Sequence, residues 1–225
     1  VLIGFGGLSQ VHAEATAASA VSSDGLWRLS AEPATQTLLM QDALGMQVRR
    51  YAWPDLSAAA RASTLVTPVQ IQDHADRHSF VIVFGGRQEL WEISYDRAAD
   101  DIYDGLVHDY RLREGLSSPG FLGVRRTRLE PPLDDFWIDP QSPHVLGRAR
   151  WAQGELQVLN LDIRRTRASL ALPVQARLAQ AQRVTVDARP LLHIPVASDS
   201  PEASDLCLSA VTWQTVPCPG SLQQK

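Results

Sequence analysis

Hydrophobic periodicity restricts this chain more than any other feature. Apolar residues recur in short alternating or β-branched runs, "SFVIVFG" (79–85), "ELWEISYD" (89–96), "HVLGRAR" (144–150) and "ELQVLNLD" (155–162). That is the two-residue period of strands, not the three-to-four spacing of an amphipathic helix. Gly, Pro, Asp and Ser fill the gaps; Asp and Ser side chains bond their own backbone and so favour tight turns. Four segments repeat one pattern: turn, strand, short polar gap, strand, turn, strand. They begin at Ser22, Asp76, Asp139 and Asp187, a spacing of roughly 50–60 residues, at or a little above that of propeller blades. A small sheet of this kind cannot bury both faces alone, so such sheets stack around an axis. The expected fold is all-β, a partial β-propeller of about four blades near 20–55, 65–106, 135–172 and 183–220, forming one domain over 1–225. A β-sandwich is the alternative. Helix is expected to be scarce: a turn or two in "DLSAAARAST" (55–64), and either helix or a strand pair in "VQARLAQAQRV" (174–184).

Composition narrows the function classes. At 225 residues and 44% apolar content the chain can build a substantial core. A net charge of −4 and a pI near 5.8 leave no basic face for nucleic acid and no polybasic patch for a membrane surface. No apolar run approaches the ~20 residues of a membrane helix. The start, "VLIGFGGLSQVHAEATAASA", faintly echoes a signal peptide but has no positive n-region; the first strand of a truncated domain is the preferred reading. Lys225 is the only lysine, so nearly all positive charge sits on arginine, whose planar fork grips carboxylates at two points. Cys207 and Cys218 are the two cysteines. They form no C-x-x-C-H, which excludes covalent c-type haem in this chain, and no C-x-x-C pair for zinc. A disulfide between them depends on an oxidising compartment and stays open at this point.

Several residue groups carry potential chemistry. "DHADRHSF" (73–80) holds His74, Arg77 and His78; its alternatives are a ligand histidine, a solvated or turn-capping loop, and a metal site from the His74-x3-His78 spacing with Asp73 or Asp76. "LVHDYR" (106–111) sets His108, Asp109, Tyr110 and Arg111 side by side, an acid/base and carboxylate-clamp set or a polar tether for an inter-blade connection; the tether is preferred. Arg148 and Arg150 flank Ala149 on a predicted strand and share one face, towards the channel if that strand is innermost. Arg125 and Arg126 are adjacent and point to opposite faces, so at most one reaches a given ligand. The acid pairs at 100–101 and 134–135 are read as turn residues. Trp91, Trp137, Trp151 and Trp213 are read as blade packing, and His193 in "PLLHIPV" as a satisfied core histidine.

The stretch "ELWEISYDRAADDIYDGLVHDYRLREGLSSPGFLGVRRTRLEPPLDDFWID" (89–139) resembles the haem d1 propeller family, which includes the d1 domain of cytochrome cd1 nitrite reductase. It looks nearest to the dihydro-haem d1 dehydrogenase-like branch. "QVLNLDIRR" (157–165) continues the resemblance; "AVSSDG" (20–25) and "TLLMQDA" (37–43) extend it more loosely. The resemblance implies an eight-bladed propeller in the bacterial periplasm, of which this chain supplies half. Haem d1 lies over the central opening, axial histidines hold its iron, and arginines hold its carboxylates. On this reading His74 is the iron ligand, and Arg77, His108, Tyr110, Arg111, Arg126, Arg148 and Arg150 are the remaining cofactor contacts, with inner strands aiming side chains at the channel. The implied partners are a tetrapyrrole and either a c-type cytochrome or a second chain completing the propeller.

The chain departs from the family where it matters for catalysis. After "RASLALP" the family carries a Gly-Met-Pro-His-Leu-Gly-Ser-Gly loop whose histidine faces the haem; here residues 173–180 read "PVQARLAQ", with no histidine. "HIPVASDSPEASD" (193–205) has also drifted from the family pattern. Two functions follow: a haem d1-class binding domain tied to cofactor maturation or nitrite reduction and catalytically incomplete alone, or a non-catalytic propeller remnant that binds partner chains.

Overall fold

A computed structural model describes residues 18–55, 69–103, 117–149, 152–197 and 205–220, without side chains at 152 and 153. Within them every regular element except two short 3₁₀ turns is a strand, and four antiparallel four-stranded sheets follow one another along the chain. The first contains β1 (Ser19–Val21), β2 (Trp27–Glu32), β3 (Thr37–Asp42) and β4 (Gln47–Ala52), paired in that order. The second begins with β5 (Val69–His74), β6 (Ser79–Phe84) and β7 (Glu89–Ser94). A two-stranded pair, β8 (Ile102–Tyr103) with β9 (Ser117–Ser118), interrupts it before β10 (Val124–Arg128) completes it against β7. The third sheet is β11 (Asp135–Ile138), β12 (His144–Ala149), β13 (Ala152–Asn160) and β14 (Arg165–Ala171). The fourth is β15 (Gln182–Val186), β16 (Arg189–Ile194), β17 (Leu206–Ser209) and β18 (Thr215–Val216).

Alternation along single strands shows why the sheets stack as blades. On β6, Phe80, Ile82 and Phe84 enter a core shared with Trp27, Leu29, Leu38 and Met40 of the first sheet. Val81 and Val83, between them, enter a second core with Leu133, Phe136, Val145 and Leu159 of the third. On β12, Val145 faces the second sheet while Leu146 joins Leu192, Ile194 and Leu208 of the fourth. A strand buried on both faces reads as an apolar run, which "SFVIVF" is. Each fully buried Phe, Leu or Ile contributes about 1.5–3 kcal/mol. The first strands β1, β5 and β11 lie next to one another, marking the hub, and β4, β10 and β14 form the rim. The chain is thus a four-blade arc of a β-propeller.

Three readings are settled or altered by the structure. The second blade does not end near 106: its fourth strand is β10, after the 95–123 excursion. The 174–184 run is not a strand pair; its helical content is a single 3₁₀ turn at Leu178–Gln180 leading into β15. Cys207 and Cys218 are joined as a disulfide that ties β17 to the segment after β18. The expected helical turn at 55–64 lies outside the described residues beyond Asp55.

The excursion returns to the body through "SPGFLG". Leu122 is buried in the core between the first two blades, and its carbonyl accepts the Tyr51 hydroxyl and an Arg49 guanidinium N–H, both at 2.9 Å. Burial raises the Tyr51 hydroxyl to about 12. Phe121 stacks edge-on against Trp27 at 5.6 Å. At Gly120 any Cβ would lie 2.1 Å from the Asp100 carbonyl oxygen, so only glycine permits the close approach of the two arms.

Candidate functional site

A blade is a radial sheet, so side chains of its innermost strand point sideways to the neighbouring blades, not into the channel. On β5, Val69 and Ile71 pack towards the first blade, and Asp73 accepts the Ser23 backbone N–H (2.9 Å) and the Tyr95 hydroxyl (2.8 Å) on that side. Burial raises the Asp73 carboxyl above its ordinary range despite those two donors. Gln70, Gln72 and His74 alternate with them and reach the third blade. The two glutamine amides donate to the carbonyls of Asp134 and Phe136, and His74 Nε2 lies 3.0 Å from the Ser142 carbonyl oxygen. This ladder satisfies carbonyls on the hub edge of the third blade that no further strand covers. The expectation that inner-strand side chains face the channel is therefore corrected by the radial set of the sheets.

His74 is central to that ladder. A carbonyl only accepts, so Nε2 carries the proton and donates, and Nδ1 keeps the lone pair. The residue is 2% exposed, and Nδ1 is buried without a hydrogen-bond partner. Axial ligation needs an imidazole lone pair that an open tetrapyrrole face can approach. The only lone pair of His74 is enclosed between blades, so as folded it does not fit that role. His78, the other histidine of the loop, is turned to Tyr95, ring to ring at 6.0 Å. Among the described residues no group of three or more His, Cys, Asp or Glu is placed to hold a metal ion.

A second network adjoins His74 through Ser142. Asn160 Oδ1 accepts the backbone N–H groups of Asp162 (2.9 Å) and Ile163 (3.1 Å), so its amide N–H end faces His144 Nε2 at 3.2 Å. His144 Nε2 is then the acceptor and Nδ1–H donates to Ser142 Oγ at 3.0 Å. The Ser142 hydroxyl donates to Asp139 Oδ2 at 2.6 Å, and Arg183 of the fourth blade pairs with the same oxygen. Trp213 stacks on His144 at 4.8 Å. Burial lowers the His144 pKa, keeping the ring neutral as these bonds require. The network joins three blades. It was missed in the sequence, where Asp139, Ser142 and His144 look like an ordinary turn.

Those of the expected contacts that lie among the described residues do not converge. Arg77 pairs with buried Glu92 (2.7 Å) and with Asp162 of the third blade (2.6 Å); burial lowers its pKa, but both carboxylates outweigh that and the net shift is upward. Arg148 sits on β12, the second strand of its blade, so the condition for a channel-facing pair is not met. It binds Asp135 (3.2 Å) and the carbonyls of Val174 (3.2 Å) and Ala176 (2.9 Å), holding the connection to the fourth blade. Burial raises the Asp135 carboxyl even though Arg148 opposes the shift. Arg126 lies on the rim strand β10, its guanidinium 5.5 Å over Trp91. Arg125, on the opposite face, donates to the Asp100 carbonyl at 3.0 Å. His108, Tyr110, Arg111 and Arg150, with Asp109 and Trp151, lie outside the described residues. Trp91 and Trp213 are buried in inter-blade cores, Trp137 packs against one, and His193 Nε2 meets Asp205 at 2.7 Å.

Fold and hub together define a β-propeller arc whose hub, as described, is tied by side-chain-to-backbone bonds. Comparison with solved structures agrees with that class. The chain is similar to the dihydro-haem d1 dehydrogenase NirN, solved in complex with DHE, with a TM-score of 0.63 and 24% identity over 88% of this chain and 36% of that one. It thus spans about a third of that protein's length, and the likeness shows a β-propeller fold. Weaker likenesses are to AztD of Citrobacter koseri (TM-score 0.49, 13% identity, 89% of this chain and 45% of that one) and to the Cps50 (Swd1) β-propeller domain of Myceliophteria thermophila (TM-score 0.45, 12% identity, 83% and 54%). No protein-family model matches the sequence, and no curated protein matches it.

Proposed function

We propose that this chain is a scaffolding arc of a haem d1-class propeller. It belongs to the handling of a haem d1-type tetrapyrrole, in cofactor maturation or nitrite reduction. It supplies part of the ring of blades around the hub and performs no redox step with its described residues. The family resemblance at 89–139 and the likeness to a dehydrogenase solved with DHE support the tetrapyrrole. The scaffold role rests on one observation, that His74 spends Nε2 on Ser142 and buries Nδ1. Arg77 and Arg148 likewise answer carboxylates and carbonyls of this chain. The Cys207–Cys218 disulfide supports an oxidising compartment such as the periplasm.

The test is a visible titration of the full chain with haem d1. The bands are expected to keep the positions of the free pigment, in wild type and in His74→Ala alike. A band shift that disappears in His74→Ala overturns the scaffold role and makes His74 an axial ligand. If the chain retains no pigment even when combined with a polypeptide that supplies further blades, the tetrapyrrole reading itself is overturned.

A further inference from the structure

Between the first two blades lies a cleft of about 680 Å³. One wall is the rim of the second blade: Gln88, Glu89, Trp91, Arg126 and Arg128. The other is Ala52, Trp53, Pro54 and Asp55, which follow β4. We propose that this cleft binds a small organic carboxylate with a flat apolar body, and that Arg126 is its clamp.

Strand register places the clamp. Arg126 pairs with Trp91 and Arg128 with Glu89 across β10 and β7, so all four side chains share the face towards the first blade. The Arg126 guanidinium is held by the Trp91 ring at 5.5 Å and by Glu89, whose Oε2 is 3.9 Å from Nε. Neither contact is a hydrogen bond. Its orientation is set, yet its in-plane donors are unspent among the described residues, and the side chain is 55% exposed. A bidentate carboxylate is what such a fork accepts. Arg77, Arg87 and Arg148 differ in that each donates to oxygens of this chain.

The opposite wall is rigid. Arg87, 4% exposed, donates from Nε to the Pro54 carbonyl at 2.6 Å and lies 5.0 Å over Trp53. Ala52, Trp53 and Pro54 offer it an apolar surface. Asp55 and Glu89 at the mouth temper the positive potential, which favours a singly charged ligand over a phosphate dianion. Arg128 is secondary, because Glu130 already holds it at 2.6 Å.

Benzoate is the probe, followed by tryptophan emission and by calorimetry on the full chain. No haem d1 enters the experiment, so its outcome is separate from the tetrapyrrole reading. Benzoate is expected to bind saturably, and benzamide, its uncharged analogue, not to bind. Arg126→Gln is expected to weaken benzoate at least tenfold, Arg128→Gln by less than threefold. Glu89→Gln removes the carboxylate that competes for Arg126 and is expected to tighten binding several-fold, which a purely structural Arg126 would not do. The site is refuted by an absence of saturable benzoate binding, by equal affinity for benzamide, or by unchanged affinity in both Arg126→Gln and Glu89→Gln.

Discussion

His144 is held as a neutral imidazole between Asn160 and Ser142. Desolvation lowers its pKa, Arg167 and Arg183 add to the shift, and Asp139 and Asp162 oppose it. The unfolded chain therefore takes up the proton first as pH falls. The stability this site contributes is complete above the ordinary value of 6.5 and is lost as pH drops from there towards the lowered folded value. Urea melts between pH 7.5 and 5 are expected to show that loss, and His144→Gln to flatten it. His74→Ala is expected to cost about 1–3 kcal/mol, because it removes a donor from the half-buried Ser142 carbonyl; paired denaturant melts read it. At this scale the sequence showed which residues have chemistry and not what they answer to. The donor role of His74 depends on a carbonyl 68 positions away, and no local spacing encodes that.

Elements are joined here by a few exacting contacts. Gly120→Ala is expected to open the 118–123 return, since the new methyl meets the Asp100 carbonyl. A drop in melting temperature with faster amide exchange at Leu122 and Tyr51 would register it. Arg148→Met keeps the aliphatic stem but leaves the Val174 and Ala176 carbonyls without their donor; a loss of about 2–4 kcal/mol is expected in denaturant melts. Reducing the Cys207–Cys218 bond, whose partners are 11 residues apart, is expected to cost about 2–4 kcal/mol and to act first on β17 and β18. The strands were legible because alternation and turn residues are local signals. The fourth strand of the second blade was not, because β10 pairs with β7 across an excursion that only a long-range contact can bridge. The hairpin between β15 and β16 was legible in Asp187, which with Ala188 adopts positive φ (51° and 60°) in a two-residue turn.

The whole molecule has two unlike lateral faces. On the first blade, Arg28, Ser30, Glu32, Thr37, Gln41 and Arg50 face away from the second together with Val21 and Leu39, and Glu32 gathers Arg50, Thr35 and Thr37. On the fourth, the face away from the third carries Val184, Val186, Leu191, Cys207 and Val216, interleaved with Gln182, Arg189, His193 and Ser209, with no sheet against it among the described residues. A mostly polar outer face tolerates water, and one with a larger apolar share calls for cover. Association through the fourth blade is therefore expected in sedimentation. Val184→Glu with Val186→Glu should weaken it, and Arg50→Glu should leave it unchanged. The sequence by itself determined that the chain is all-β and built of repeated small sheets, because alternation, turn chemistry and repeat spacing are carried by neighbouring residues. Only the tertiary structure decided what the polar residues do. A radial blade turns its inner side chains onto its neighbours, so His74 became a tie between blades; Arg77 and Arg148 tie blades from outside the inner strands, while Arg126 at the rim donates no hydrogen bond to the described residues.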